Sequence, residues 1–160
     1  MNREFVYLET SFISYLTARP SRDLIVSAHQ AISQEWWDQR RNCFEVVISE
    51  IVAEEAGKGH REAAQRRMNL LRDIPFIPVQ EDALEFADKL VQTGTVPKKA
   101  AQDALHIAVC CVNNVDFLLT WNCKHIANAE KRESIRTAAV EHGLVAPVIC
   151  TPEELFGDEL

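Results

Sequence analysis

The feature that most constrains this chain is a series of short, nearly continuous apolar runs of β-favouring residues, separated by longer stretches with helical periodicity. Phe5-Val6-Tyr7-Leu8 is the first run and Phe44 to Ile48 the second. Pro75-Phe76-Ile77-Pro78-Val79 is the third, Phe117 to Thr120 the fourth and Val148-Ile149-Cys150 the fifth. Side chains alternate between the faces of a strand, so a strand apolar at every position is covered on both sides. Strands of this kind alternating with helices imply a parallel sheet flanked by helical layers. The two prolines of the third run place it at a sheet edge or at strand ends.

The intervening segments read as helices. Thr10 and Ser11 are candidate caps for a turn built on Phe12 to Leu16. From Arg22, apolar residues recur at Leu24, Ile25, Ala28, Ala31, Ile32 and Trp36, a helical stripe. Ser49 is placed to cap a helix from Glu50 to Lys58, weakened and closed by Gly57 and Gly59. Further helices are expected over His60 to Leu71, Glu81 to Val91, Lys98 to Val112 and Lys131 to His142, with a turn at Thr93 to Pro97. Thr151-Pro152-Glu153-Glu154 carries the Thr-x-x-Glu capping box with proline at the first helical position.

No repeat, low-complexity tract or linker interrupts this pattern, so residues 1–160 read as one domain, long enough to bury its own core. The five cysteines include no C-x-x-C pair, which argues against a zinc site or a disulfide framework. Cys110 and Cys111, inside an apolar helix, read as small buried hydrophobes. No apolar run nears the roughly 20 residues of a membrane helix, so no membrane partner is expected. The start MNREFVYLET has no signal-peptide character, so a cytoplasmic location is expected. A net charge of −7 disfavours coating nucleic acid by bulk charge, though not an enzyme whose acidic pocket is offset by cations.

In an open parallel sheet, ligands gather beyond the carboxyl ends of the strands. Glu9 directly follows the first strand; Glu50, Glu54 and Glu55 lie on the helix after the second; Asn122 lies just beyond the fourth. Asp103 occupies the first half of the helix feeding the fourth strand. Carboxylates sent from distant segments to one edge repel one another unless cations offset them. Hard divalent ions such as Mg²⁺ or Mn²⁺ favour such oxygen ligands and can activate water against a phosphodiester.

Four segments carry a specific resemblance. Tyr7-Leu8-Glu9-Thr10-Ser11 looks like the first motif of the PIN-domain family, an acidic residue before Thr-Ser at the end of the first strand. Ser49 through Gly59 resembles the second motif, Gln102-Asp103-Ala104-Leu105-His106-Ile107-Ala108 the central Asp motif, and Leu118-Leu119-Thr120-Trp121-Asn122 the fourth. The order and spacing match along essentially the whole chain, most like VapC-type toxin ribonucleases. The resemblance implies a PIN-like three-layer α/β sandwich with a central parallel sheet of about five strands. It also implies an endoribonuclease using Mg²⁺ or Mn²⁺, the toxin of a type II toxin–antitoxin pair. Its partners would be an RNA substrate, a cognate antitoxin and a second copy in a homodimer.

By the same resemblance Glu9, Glu55 and Asp103 are the metal ligands, with Asn122 completing the catalytic set and Thr10, Ser11 and Thr120 in support. Glu55 is preferred because it stands four residues before Gly59, as the family glutamate often precedes a glycine; Glu54 and Glu50 are the alternates. Successive helix residues point about 100° apart, so only one of Glu54 and Glu55 should face the site. His106 is a further alternate, and reads first as a packed structural histidine. The chain departs from the pattern in having Glu9 where the family usually has Asp and Asn122 where many members have Asp. That pair of changes motivates an alternative, a weakly active or non-catalytic PIN-like module binding RNA or protein. A phosphatase or response-regulator reading needs an aspartate nucleophile that Glu9 replaces poorly, and no Gly-rich phosphate loop occurs. Trp36 and Trp37 read as packing residues, and Arg61, Arg66, Arg67 and Arg72 as a solvated helix face.

Overall fold

The computed structural model describes residues 2–158; Met1, Glu159 and Leu160, part of the expected 1–160 domain, lie outside the described residues. Four parallel strands, β1 (Phe5–Leu8), β2 (Glu45–Val47), β3 (Phe117–Leu119) and β4 (Val148–Cys150), form one sheet in the order β2-β1-β3-β4. Val6, Tyr7 and Leu8 are all fully buried, as are Leu118 and Leu119. Since neighbours on a strand face opposite ways, the central strands are covered on both sides.

The sheet has four strands rather than the expected five or so. The Pro75–Val79 segment contributes a single bridge, Ile48 to Phe76, in which the Ile48 amide donates to Pro75 O at 3.0 Å and the Ile77 amide to Ile48 O at 2.8 Å. Pro75 has no N–H to extend the ladder back along β2, and beyond Ser49 the paired segment turns helical, so this third run makes a bridge and not a strand.

Seven α-helices connect these strands. The helix α1 (Thr10–Thr17) and the helix α2 (Leu24–Arg40) lead from β1 to β2. The helices α3 (Glu50–Ala56), α4 (Arg61–Leu71), α5 (Glu81–Gln92) and α6 (Ala101–Val112) carry the chain to β3. The last, α7 (Ala129–Glu141), returns it to β4. Asp23 caps α2 through the Val26 amide at 2.9 Å, and Asn128 caps α7 through the Glu130 amide at 3.0 Å. The expected helix from Lys98 is split: a 3-10 turn over Lys98–Ala100 follows Pro97, and the α-helical ladder starts at Ala101. The capping box at Thr151 is present, but it opens a 3-10 turn, Pro152–Leu155, rather than a full helix.

Two helix starts differ from expectation in their chemistry. Glu9, not Thr10 or Ser11, is the N-cap of α1, its carboxylate accepting from the Ser11 amide. Ser49 is the N-cap of α3 by position, but its side chain makes no capping bond. The expected solvated arginine face is also partly engaged: Arg67 donates to Ala56 O at 2.9 Å, satisfying a carbonyl at the end of α3, and Arg66 donates to Thr17 O at 2.9 Å. Gly59, at φ +88°, supplies the left-handed residue between α3 and α4.

Trp36, Phe12, Ile13, Phe86, Leu90 and Ile107 anchor the core, all fully buried. The Trp36 indole meets Phe12 edge-on at 5.6 Å and donates to Leu155 O at 3.1 Å, tying α2 to the chain end. Trp37 is half-buried beneath the Arg41 guanidinium, 4.6 Å from its ring centre. Cys110 and Cys111 are buried in α6; burial pushes both thiols up, Cys111 to about 12, so they behave as inert hydrophobes. Among the described residues no helix is long and apolar enough to cross a membrane.

Candidate active site

The strand order places a topological switch between β1 and β3: the chain passes from β1 to β2 on one side and later enters β3 on the other. A crevice at the carboxyl ends of those two strands is where open α/β sheets bind ligands. Glu9 sits there, 4% exposed, its amide extending the ladder to Leu119 O at 3.0 Å. Its Oε1 accepts from the hydroxyls of Thr120 at 2.7 Å and Ser11 at 2.8 Å, and its Oε2 accepts from the Ser11 amide at 2.6 Å. Glutamate is a rare N-cap; here the side chain that is one methylene longer than aspartate folds back onto its own helix. Ser11 Oγ also accepts the Trp121 amide at 2.8 Å, so the ends of β1 and β3 are sewn together around this carboxylate.

Glu55 reaches the same end from α3. Its Oε1 accepts from Thr10 Oγ1 at 2.7 Å and from His106 Nε2 at 2.5 Å. His106, 1% exposed, places its other ring nitrogen 2.7 Å from the Tyr7 hydroxyl, which lies 2.8 Å from Ser49 Oγ. Burial alone would push the imidazole down. The Glu55 hydrogen bond and the negative charges of Glu9, Glu55 and Asp103 outweigh it and raise His106 above its ordinary value. Burial would raise Glu55, but the hydrogen bond and charge of His106, the Thr10 hydroxyl and Lys58 together hold it below the usual carboxylate range.

Asp103, in the first turn of α6 and half-buried, is the third carboxylate. Burial pushes its carboxyl up; the Asn122 amide and the two imidazoles of His106 and His125 offset part of that, while Glu55 adds to it. Asn122 is fixed in turn: its amide donates to Thr120 Oγ1 at 2.9 Å and its Oδ1 accepts the His125 amide at 3.0 Å.

The fold thus brings Glu9, Glu55, Asp103 and Asn122 to one end of the sheet, with Thr10, Ser11 and Thr120 bonded directly to the first two. Glu50 and Glu54 are exposed and join none of these contacts. Tyr7 and Ser49 belong to the constellation although their residue types suggested only a strand and a cap. A fully buried tyrosine hydroxyl requires a partner, and that was the available signal. Among the described residues the salt bridge of this set is Glu55 with His106, and no Lys or Arg pairs with Glu9, Glu55 or Asp103. Nor does any group of three His, Cys, Asp or Glu side chains among those residues close around a point that would hold a metal ion. In kind, the carboxylate and amide oxygens of this set fit a hard divalent cation.

No protein-family model matches the chain, and no curated protein does. It is similar to a chain in the crystal structure of VapBC2 from Rickettsia felis bound to a DNA fragment from their promoter, with a TM-score of 0.58 and 15% identity. The match covers 92% of this chain and 98% of that one. At that identity the likeness is one of fold. The α/β architecture implied by the four motifs is found, with four strands in place of about five, and this chain shares its PIN-type fold with that chain.

Proposed function

We propose that this protein is a divalent-metal-dependent endoribonuclease, the toxin of a type II toxin–antitoxin pair. The observation that carries this reading is that Glu9, Glu55 and Asp103 all act on one buried imidazole at the switch point of the sheet, with no Lys or Arg ion-paired to them among the described residues. Glu9, Glu55 and Asp103 would hold Mg²⁺ or Mn²⁺, with Asn122 adding an uncharged oxygen. When bound, such an ion supplies charge compensation for the phosphodiester and a lowered pKa for attacking water. The chain's own residues then have separate duties. Ser11 and Thr120 orient Glu9, while Thr10 and His106 orient Glu55. Asp103, raised by burial, is the carboxylate most in need of a cation.

The same reading makes single-stranded RNA the substrate, and a small antitoxin and a second copy of the chain the protein partners. Purified protein with Mn²⁺ should cleave single-stranded RNA, and Asp103→Asn should abolish cleavage. Undiminished cleavage by that variant removes the proposed chemistry.

One observation favours the second reading, a PIN-like module that binds without cutting. Both oxygens of Glu9 are already engaged by Ser11 and Thr120, and no three His, Cys, Asp or Glu side chains converge among the described residues. A Mn²⁺ titration separates the two: a rise in melting temperature supports the nuclease, and an unchanged one supports the module.

A further inference from the structure

The proposed ligand Glu55 does not stand alone; it is the last member of a chain of side chains that runs back into the sheet. An ionised carboxylate only accepts, so the hydrogen between His106 Nε2 and Glu55 Oε1 is carried by the nitrogen. Which nitrogen carries it is decided at the far side of the ring. Nδ1 faces the Tyr7 hydroxyl at 2.7 Å, and that hydroxyl faces Ser49 Oγ at 2.8 Å. When Nδ1 is bare, Tyr7 donates to it and Ser49 donates to Tyr7. When Nδ1 is protonated, both bonds reverse. In the first arrangement Ser49, Tyr7 and His106 are matched in series. In the second the Ser49 hydrogen has no acceptor within the chain of three, so the first is favoured, and in both Nε2 keeps its hydrogen toward Glu55.

Tyr7 is at β1, Ser49 at the start of α3, and neither is exposed. Ser49 occupies an N-cap position yet gives its side chain to Tyr7 instead of the helix. At the other end, Thr10 and His106 both donate to Oε1 of Glu55, and Oε2 accepts no hydrogen bond among the described residues. The carboxylate is therefore held by one oxygen and offered by the other.

We propose that Ser49, Tyr7 and His106 form a buried positioning chain that locks Glu55 with Oε1 engaged and Oε2 free for a ligand. Its use in metal binding rests on the nuclease reading, but the locking itself does not. Without the tyrosine hydroxyl, Nδ1 loses its partner, the ring is no longer fixed from its far side, and the Nε2–H···Oε1 bond opens more often. Tyr7 and Ser49 are positioning residues, acting on the site only through His106 and Glu55.

The test has a metal-free arm and a Mn²⁺ arm, run on the full chain. In EDTA, the imidazole Nε2–H of His106 is followed by NMR, assigned by its loss in His106→Gln. Tyr7→Phe, which keeps the ring, should accelerate exchange of that proton at least tenfold. It should also raise the Mn²⁺ dissociation constant by about 10–100-fold, the range for partners that orient a ligand from outside. Should Tyr7→Phe fold poorly, Ser49→Ala carries the same two measurements with a smaller change. Exchange within threefold of the native protein overturns the proposal, and so does an unchanged Mn²⁺ affinity where the native protein binds Mn²⁺. A native protein that binds no Mn²⁺ sinks the nuclease reading alone, and the exchange arm still decides the chain.

Discussion

His106 and Glu55, separated by 51 residues in the sequence, meet at 2.5 Å with Nε2 donating to Oε1. The contact joins α6 to α3 in the interior, and each partner changes the other's affinity for protons. Burial opposes charge on both, and in both cases the partner wins: His106 is raised and Glu55 is lowered.

The pH dependence of the metal-free protein follows from these directions. The contribution of His106 is complete below its ordinary value of 6.5 and is lost as pH rises through the higher folded value. The contribution of Glu55 is complete above its ordinary value of 4.5 and is lost as pH falls through the lower folded value. Between those two ordinary values both are present, so urea midpoints in EDTA should be highest there. His106→Gln should flatten the profile; a profile of unchanged shape in that variant means the pair is not its source.

Neighbouring glutamates of α3 should behave oppositely. Glu55 points inward to Thr10 and His106, whereas Glu54 is exposed. Glu55→Gln should weaken Mn²⁺ binding on the order of 10–100-fold, and Glu54→Gln should leave it within about twofold. Calorimetric titration of the two variants decides the matter, and a larger loss in the Glu54 variant would reverse the assignment.

Asn122→Asp supplies a carboxylate where this chain has an amide. The acceptor for the His125 amide is kept, so the turn should survive. The new charge stands beside Asp103, whose carboxyl burial already pushes up. The metal-free melting temperature should therefore fall while the rise on adding Mn²⁺ grows. Scanning calorimetry with and without Mn²⁺ tests both halves, and a smaller rise than in the native protein contradicts them.

How much of this was legible from residues alone depended on how local the cause was. β1 and β3 are read directly, because Val6-Tyr7-Leu8 and Leu118-Leu119 have no polar face to present to water. The third run failed as a strand because Pro75 lacks the N–H that would extend the ladder and the paired segment turns into α3 at Glu50, which outweighs the β-favouring Phe76 and Ile77. Glu55 was separable from Glu54 only through a glycine offset, whereas the fold separates them by direction. A tyrosine hydroxyl in a strand buried on both faces signals that Tyr7 needs a partner, but nothing local names it. Its partners lie 42 and 99 residues from Tyr7, and only the packed α3 and α6 bring those hydroxyl and imidazole groups within reach. The cap at Glu9 is hidden for a similar reason, since Thr10 and Ser11 are ordinary cap residues and a glutamate rarely is.

Thr120 offers the sharpest separation of support from shape. It is fully buried at the end of β3, donating to Glu9 Oε1 at 2.7 Å while accepting the Asn122 amide at 2.9 Å. Thr120→Val keeps the volume and removes both bonds. A hydrogen bond to a charged group is worth about 1.5–3 kcal/mol, so the variant should lose roughly that much stability in urea unfolding. Thr120→Ser retains the hydroxyl and removes one methyl, so it should lose only about 1 kcal/mol, the transfer and cavity cost of a small apolar group. If Glu9 and Asn122 are held through this hydroxyl, Mn²⁺ affinity should drop in the valine variant and stay near native in the serine variant. Equal affinities in the two would mean that Thr120 fills space at the end of the strand and orients neither neighbour.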